Sequence, residues 1–372
     1  MPASFQGLLD MKRRQFLRTA GFAAAGSTIA APAIAQGTPE IKWKLTSSFP
    51  PALETLSAGA RVFADAAREA SDGRINIEVH PPGEIAGAVD ALDAVKEGRA
   101  DCAQTALHYW WGTEPALVFA TGAPFGMNAR EHAGFIHHGG GAELINETLA
   151  GHNIVALLAG NTGCEMGGWF RNEVKSVADL KGLKFRISGI AGKMLQKLGV
   201  EPTAVARGDI AASLQSGALG AAAWVSPVDD EKLDLAKAAP NYYYPGWQQP
   251  SLAVHIAINA ARWNELPKCY QAILRQSAEL ANARMLSSYD TMNPPAVRRL
   301  VENGARLKSF PPDVMEALWR AADEVYAETA KDNANFLRAH SAYMAARNEQ
   351  YLWWQVAEYP YDNFVIRQRA KG

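Results

Sequence analysis

Cysteine is scarce in this chain: three among 372 residues, Cys102, Cys164 and Cys269. So few exclude a disulfide-built scaffold. They leave either one bridge with a free thiol or small thiols that simply pack inside. No Cys/His grouping has the spacing of a zinc site. Net charge is lacking as well, with 37 basic and 38 acidic residues. A nucleic-acid partner, which draws on a strongly basic face, finds no support. Enzyme signatures are missing: there is no Gly-x-Ser-x-Gly elbow, no Walker loop, and no Gly-x-Gly-x-x-Gly after a strand. His137-His138-Gly139-Gly140-Gly141 has the outline of an esterase oxyanion loop. Without a nucleophile elbow downstream it reads as a turn or helix end built on flexible glycines.

Beyond residue 35 no apolar run reaches membrane-spanning length. Before it lies a different kind of segment. Lys12, Arg13, Arg14 and Arg18 precede an apolar, small-residue run over 20–33, and Ala33-Ile34-Ala35 fits a small-x-small cleavage pattern. Arg13-Arg14-Gln15-Phe16-Leu17 places two arginines before x-Phe-Leu, as in a twin-arginine signal; a Sec signal that contains Arg-Arg is the alternative. Residues 1–35 are therefore expected to be an export signal and the mature chain to be periplasmic. That chain keeps 33 basic and 37 acidic residues, a net charge of −4.

The remaining length suggests two domains or lobes. Ile41-Lys42-Trp43-Lys44-Leu45-Thr46 alternates as a strand does. A helix is expected over 53–70, with Gly73 beyond its end. Ile75-Asn76-Ile77-Glu78-Val79 is a second strand, 87–97 a helix and 100–104 a short strand. The pattern returns with strands at 154–158 and 184–187, a helix over 189–198, an extended stretch at 201–205, a helix over 210–215 and a buried strand at 221–225. This alternation argues for parallel α/β sheets covered on both faces, with crossings between lobes near 160 and 250. From Val314 the chain is mostly helical, and 315–347 reads as one long helix that packs on another subunit or spans both lobes.

Aromatic and polar residues gather where strands end, the place at which α/β folds bind small molecules. His108-Tyr109-Trp110-Trp111 follows one strand, and 161–170 with Glu165 follows another. Trp224 ends a third, and Trp247-Gln248-Gln249 lies after a loop. Trp169, Trp263 and Trp319 read as packing residues. Tyr109, Trp224 and Trp247 fit binding and packing alike. Arg186 sits in an apolar strand, where a charge needs a partner. A guanidinium grips a carboxylate with two parallel hydrogen bonds, so the partner is either a ligand or an internal acid such as Glu165 or Asp229.

Several stretches then become recognisable: Pro82-Gly83-Glu84-Ile85, Pro124-Phe125-Gly126-Met127-Asn128-Ala129-Arg130-Glu131-His132, residues 160–170, Gly182-Leu183-Lys184-Phe185-Arg186-Ile187 and Tyr243-Tyr244-Pro245-Gly246-Trp247. In order and spacing the chain resembles the periplasmic solute-binding proteins of TRAP (tripartite ATP-independent periplasmic) transporters, in the branch that binds 2-oxo acids and related monocarboxylates. The resemblance implies an α/β, two-lobed periplasmic binding protein, type II-like, with long C-terminal helices. Lobe 1 would be 36–160 with a return segment about 250–312, lobe 2 would be 161–249, and 313–372 a helical brace and dimerisation region. It implies a small organic acid as ligand, a 2-oxo or hydroxy monocarboxylate, delivered to TRAP membrane permease subunits by a homodimer that catalyses nothing. Presentation of the ligand to a sensor, or an exported enzyme, are the other readings. Arg186 matches the family arginine that holds the ligand carboxylate. Glu165 and Gln249 would meet polar groups, with Tyr109, Trp224 and Trp247 as walls.

No cofactor is required. The family branch also implies a cation, sodium or calcium, held by a glutamine, an acid and a further glutamate. Those positions are Glu165, Ala223 and Gln249 here. Glu165, Gln249 and the backbone of Ala223 are thus the candidate metal ligands. Hard cations want several oxygens, and Ala223 in place of an acid weighs against one.

Overall fold

A computed structural model describes residues 39–187 and 189–371. The expected export signal lies outside the described residues. Two sheets organise the rest. The first joins β1 (Ile41–Ser47), β2 (Ile75–His80), β3 (Cys102–Thr105), β4 (Ile154–Asn161) and β10 (Ala253–Asn259) in the order β2-β1-β3-β10-β4. The second joins β5 (Gly168–Phe170), β6 (Lys184–Arg186), β7 (Glu201–Thr203), β8 (Ala221–Ala222), β9 (Asn241–Tyr244) and β11 (Arg306–Ser309) in the order β11-β9-β5-β8-β6-β7.

The sheets are mixed, which corrects the parallel expectation. In the first, β1 runs parallel to β2 and β3, while β10 is antiparallel to β3 and β4. In the second, β5 is antiparallel to β8 and β9. The reason is connectivity. β4 feeds β5, and β9 feeds β10, with no helix between them. Each sheet thus takes in one strand that arrives from the other sheet against its own direction. The two crossings, 162–167 and 245–252, join one sheet to the other, and they carry Glu165 and Trp247-Gln248-Gln249.

Local packing follows the sequence pattern. In β1, Trp43 and Leu45 point inward while Lys42 and Lys44 stay out. The helix Glu54–Ala70 buries Leu56, Ala60, Phe63 and Ala67, three to four residues apart, on one side of the first sheet. Gly139 and Gly140 end one helix and start the next, with Gly140 at φ 79°. The His-Gly-Gly-Gly segment is therefore a turn between helices. The cysteines are free: Cys102 is buried, whereas Cys164 and Cys269 are exposed. The packing role fits only the first.

A long helix that the sequence did not single out also ties the two sheets together. The helix Lys268–Glu302 runs 35 residues, roughly 50 Å at 1.5 Å per residue. Leu274, Ala278 and Ala281 belong to the core of the first lobe, and Leu300 to that of the second. Tyr289 on the same helix donates to Asp229 Oδ2 at 2.7 Å. Arg299 grips Glu231 with two bonds of 2.7 and 2.8 Å. The single helix expected over 315–347 is broken into Pro312–Asp332 and Ala334–Val356. Asn333 is extended at the break, and its side chain accepts from Phe336 N at 2.8 Å. An asparagine that caps a new helix competes with continuing the old one. The first of these helices reaches the second lobe through Lys197 and Glu328, and the second packs Phe336 and Tyr343 against Phe119 and Phe135.

Candidate functional site

A cleft between the lobes, with a cavity volume of about 170 Å³, is lined by Tyr109, Glu165, Arg186, Ala223, Trp224 and Gln249 among others. It is smaller than the ~300–1,000 Å³ typical of pockets for drug-sized molecules, so it suits a small solute. Five of the six ligand residues expected from sequence meet here. Trp247 does not. It is buried in the core with its ring 5.7 Å from Phe125, and its carbonyl accepts from Phe125 N at 2.8 Å. The crossing turns the indole inward and presents Gln248 and Gln249 instead.

Arg186 closes β6, which pairs in parallel with β8 and places Arg186 opposite Ala222. Its Nη1 donates to Ala223 O at 2.8 Å and its Nε to Val205 O at 3.4 Å. Its guanidinium carbon lies 4.9 Å from the centre of the Trp224 ring, a cation–π contact. Neither Glu165 nor Asp229 is its partner. Among the described residues no carboxylate lies within ion-pair distance of it. Burial holds its pKa below the usual guanidinium range, with Tyr109 pulling the other way. The helix Gly189–Lys197 begins beside it, and Gly189 and Ile190 line the same cleft. The positive end of that helix adds to the arginine's charge.

Glu165 is only 4% exposed. Burial pushes its carboxyl well above the usual range, and the nearby charges of Asp230 and Asp229 push it further. Asp230 is held from behind by three donors. It accepts from Trp169 Nε1 at 2.8 Å, Tyr242 Oη at 2.7 Å and Val225 N at 3.1 Å. Burial still raises Asp230 to about 6. Tyr109 lines the same cleft. Burial lifts its phenol to about 12, with Arg186 drawing it down and Glu165 raising it.

Residues that sequence reasoning did not assign also line the cleft. His108 packs edge-on against Tyr109 at 4.8 Å, and burial lowers its pKa to about 4, so it is neutral. Phe49 and Leu53 close the apolar side from the loop after β1. The rule that strand ends bear the site would have found them, since that loop follows a strand end. At the rim, Lys193 of the second lobe lies 5.3 Å above the Trp111 ring of the first, and Lys232 reaches Glu54 at 3.2 Å.

Two mixed sheets that exchange one strand each, with an arginine at the cleft between them, define a two-lobed binding protein. Residues 46–333 match the bacterial extracellular solute-binding protein family 7, and the chain belongs to that family. It is a solute-binding protein of the TRAP type. A monocarboxylate 2-oxoacid-binding periplasmic protein of Nostoc is 39% identical over 95% of this chain and 99% of its own length. A TRAP transporter solute-binding protein of Bordetella bronchiseptica, a mixed-occupancy dimer with copurified calcium and picolinate in one site, superposes with a TM-score of 0.86. It is 37% identical, with 90% of this chain and 99% of that one covered. One of Pseudoalteromonas atlantica, with bound sodium and pyruvate, gives a TM-score of 0.83 at 32% identity over 87% of this chain and 99% of that one.

Proposed function

We propose that this chain captures a small monocarboxylate in the periplasm by closing its lobes, with Arg186 as the anchor of the ligand carboxylate. The observation that carries this is a guanidinium lining the cleft with no carboxylate partner of its own among the described residues. Its free donors and the adjacent helix start both favour an anion. Tyr109 and Trp224 are the walls, and Glu165 and Gln249 meet the ligand's other polar groups. The relatives' ligands, 2-oxoacids, pyruvate and picolinate, are small monocarboxylates. Micromolar capture corresponds to about −8 kcal/mol, within reach of one desolvated bidentate pair plus aromatic burial.

Lobe 1 comprises 36–160 with the return segment 250–312, lobe 2 comprises 161–249, and 313–372 braces and pairs the subunits. Closure needs only that the ligand bind the closed state better. The chain performs no chemistry and requires no resident cofactor. It is exported by a twin-arginine signal and hands its ligand to TRAP membrane permease subunits. The exposed apolar side chains of the last two helices support a homodimer. Thermal unfolding of the purified protein against a panel of small carboxylates tests the function. Stabilisation by at least one monocarboxylate is expected, and no shift with any would contradict it.

A further inference from the structure

The ions that accompany ligands in the Bordetella and Pseudoalteromonas proteins would meet a poor donor set here. The candidate oxygens are one carboxylate (Glu165), one amide (Gln249) and one backbone carbonyl (Ala223). A hard cation takes more oxygens and gains affinity from their charge. The carbonyl is also engaged, because Ala223 O accepts from Arg186 Nη1 at 2.8 Å. A metal ion on that oxygen would sit against a guanidinium, two positive charges in a largely dry site. These residues do not fit a resident sodium or calcium ion.

The negative end of the cleft nevertheless calls for a positive charge. Glu165 lines it, nearly buried, with Asp229 and Asp230 behind and no hydrogen-bond donor to its carboxyl among the described residues. Arg186, Glu165 and Tyr109 line one cavity of about 170 Å³, so a single small ligand can touch both charged side chains. We propose that the ligand brings the missing cation itself: a small monocarboxylate with a protonated nitrogen beside its carboxyl group, the carboxylate on Arg186 and the ammonium on Glu165. This rests on the Arg186 assignment above and narrows the ligand from organic acid to zwitterion. An ammonium donates where a keto oxygen accepts. Ionised, Glu165 would face the carbonyl oxygen of a 2-oxo acid with no ion between them, and a cationic group on the ligand is what favours that ionised form. A zwitterion forms a charge-assisted hydrogen bond at each end and offsets the cost of burying Glu165 ionised.

Calorimetry on the full mature protein in EDTA, with amino, hydroxy and oxo acids of matched carbon skeletons, tests the proposal. The amino acid should bind at least about tenfold tighter than its oxo partner. Glu165→Gln, which keeps the shape, should remove that preference. The triple variant Glu165→Gln/Ala223→Glu/Gln249→Glu should invert it and make binding calcium-dependent. Equal or tighter binding of the oxo or hydroxy acid in EDTA would overturn the proposal, as would binding of oxo acids only when calcium or sodium is restored. In either case Arg186 keeps its role. If no carboxylate binds with or without metal, the carboxylate anchor itself falls, and the zwitterion with it.

Discussion

Arg186 donates from Nη1 to the carbonyl oxygen of Ala223 at 2.8 Å. The contact is a consequence of strand pairing. β6 and β8 align Arg186 with Ala222, so the next carbonyl along β8 catches the guanidinium. A carbonyl orients the arginine without cancelling its charge. A buried acid in its place would pair with it and blunt its pull on an anion. The Trp224 ring on its other side fixes the plane of the fork while leaving its charge whole. Under the proposed function this presets the guanidinium for an anion, in a cavity that Glu165 and Gln249 also line.

The bond from Tyr289 to Asp229 ties the long brace helix to the second lobe deep in the core. Tyr289→Phe removes one donor to a buried carboxylate and leaves the ring in place. A loss of about 2 kcal/mol in unfolding free energy is expected, within the range for hydrogen bonds to charged groups. Urea denaturation of both proteins measures it. An unchanged midpoint would mean that the helix is held by apolar packing alone.

His255 in β10 is buried, and burial together with nearby His132 lowers its pKa to about 3. The unfolded chain binds a proton there below about pH 6.5 while the folded chain does not. Its contribution to stability is therefore present above pH 6.5 and is lost as pH falls toward 3. Relative to wild type, His255→Leu should gain about 2 kcal/mol in unfolding free energy between pH 7 and pH 5. Denaturation curves at the two pH values check this. A pH-independent difference would show that the imidazole takes up its proton in the folded chain as it does in the unfolded one.

The helix Glu358–Arg369 buries none of its residues, and Trp353, Tyr359, Phe364 and Ile366 are all exposed on it and on the helix before it. A 12-residue helix without a packed face is marginal in water, and a patch this apolar is unusual on a monomer. Light scattering should give the mass of a dimer. Trp353→Ser/Phe364→Ser/Ile366→Ser should give a monomer that still binds ligand. A monomer mass for the unaltered chain would contradict the pairing.

Much of this was readable along the chain, for physical reasons that differ by element. Alternation around Trp43 and Leu45 marks β1 because only one side chain in two faces the core there. Arg186 stands out because a charge inside an apolar strand needs a partner, although which partner could not be read. The brace helix is hidden because its buried stripe includes Ala278, Ala281 and Ser277, which resemble its exposed face. Pro294 and Pro295 inside it also argue against a helix. Trp247 misleads because its neighbours Gln248 and Gln249 face the cleft, and one step along an irregular crossing reverses a side chain's direction. Asn333 breaks the C-terminal helix through its cap, a local competition that the apolar periodicity around it masks.

Titration calorimetry of wild type and Arg186→Ala with the monocarboxylate that most stabilises the wild-type protein tests the central claim most directly. The wild type is predicted to bind with a dissociation constant near micromolar, and the variant to lose at least about a hundredfold in affinity, as expected when a desolvated charge pair is broken. Unchanged affinity in a variant that unfolds at the wild-type temperature without ligand would show that Arg186 does not hold the carboxylate.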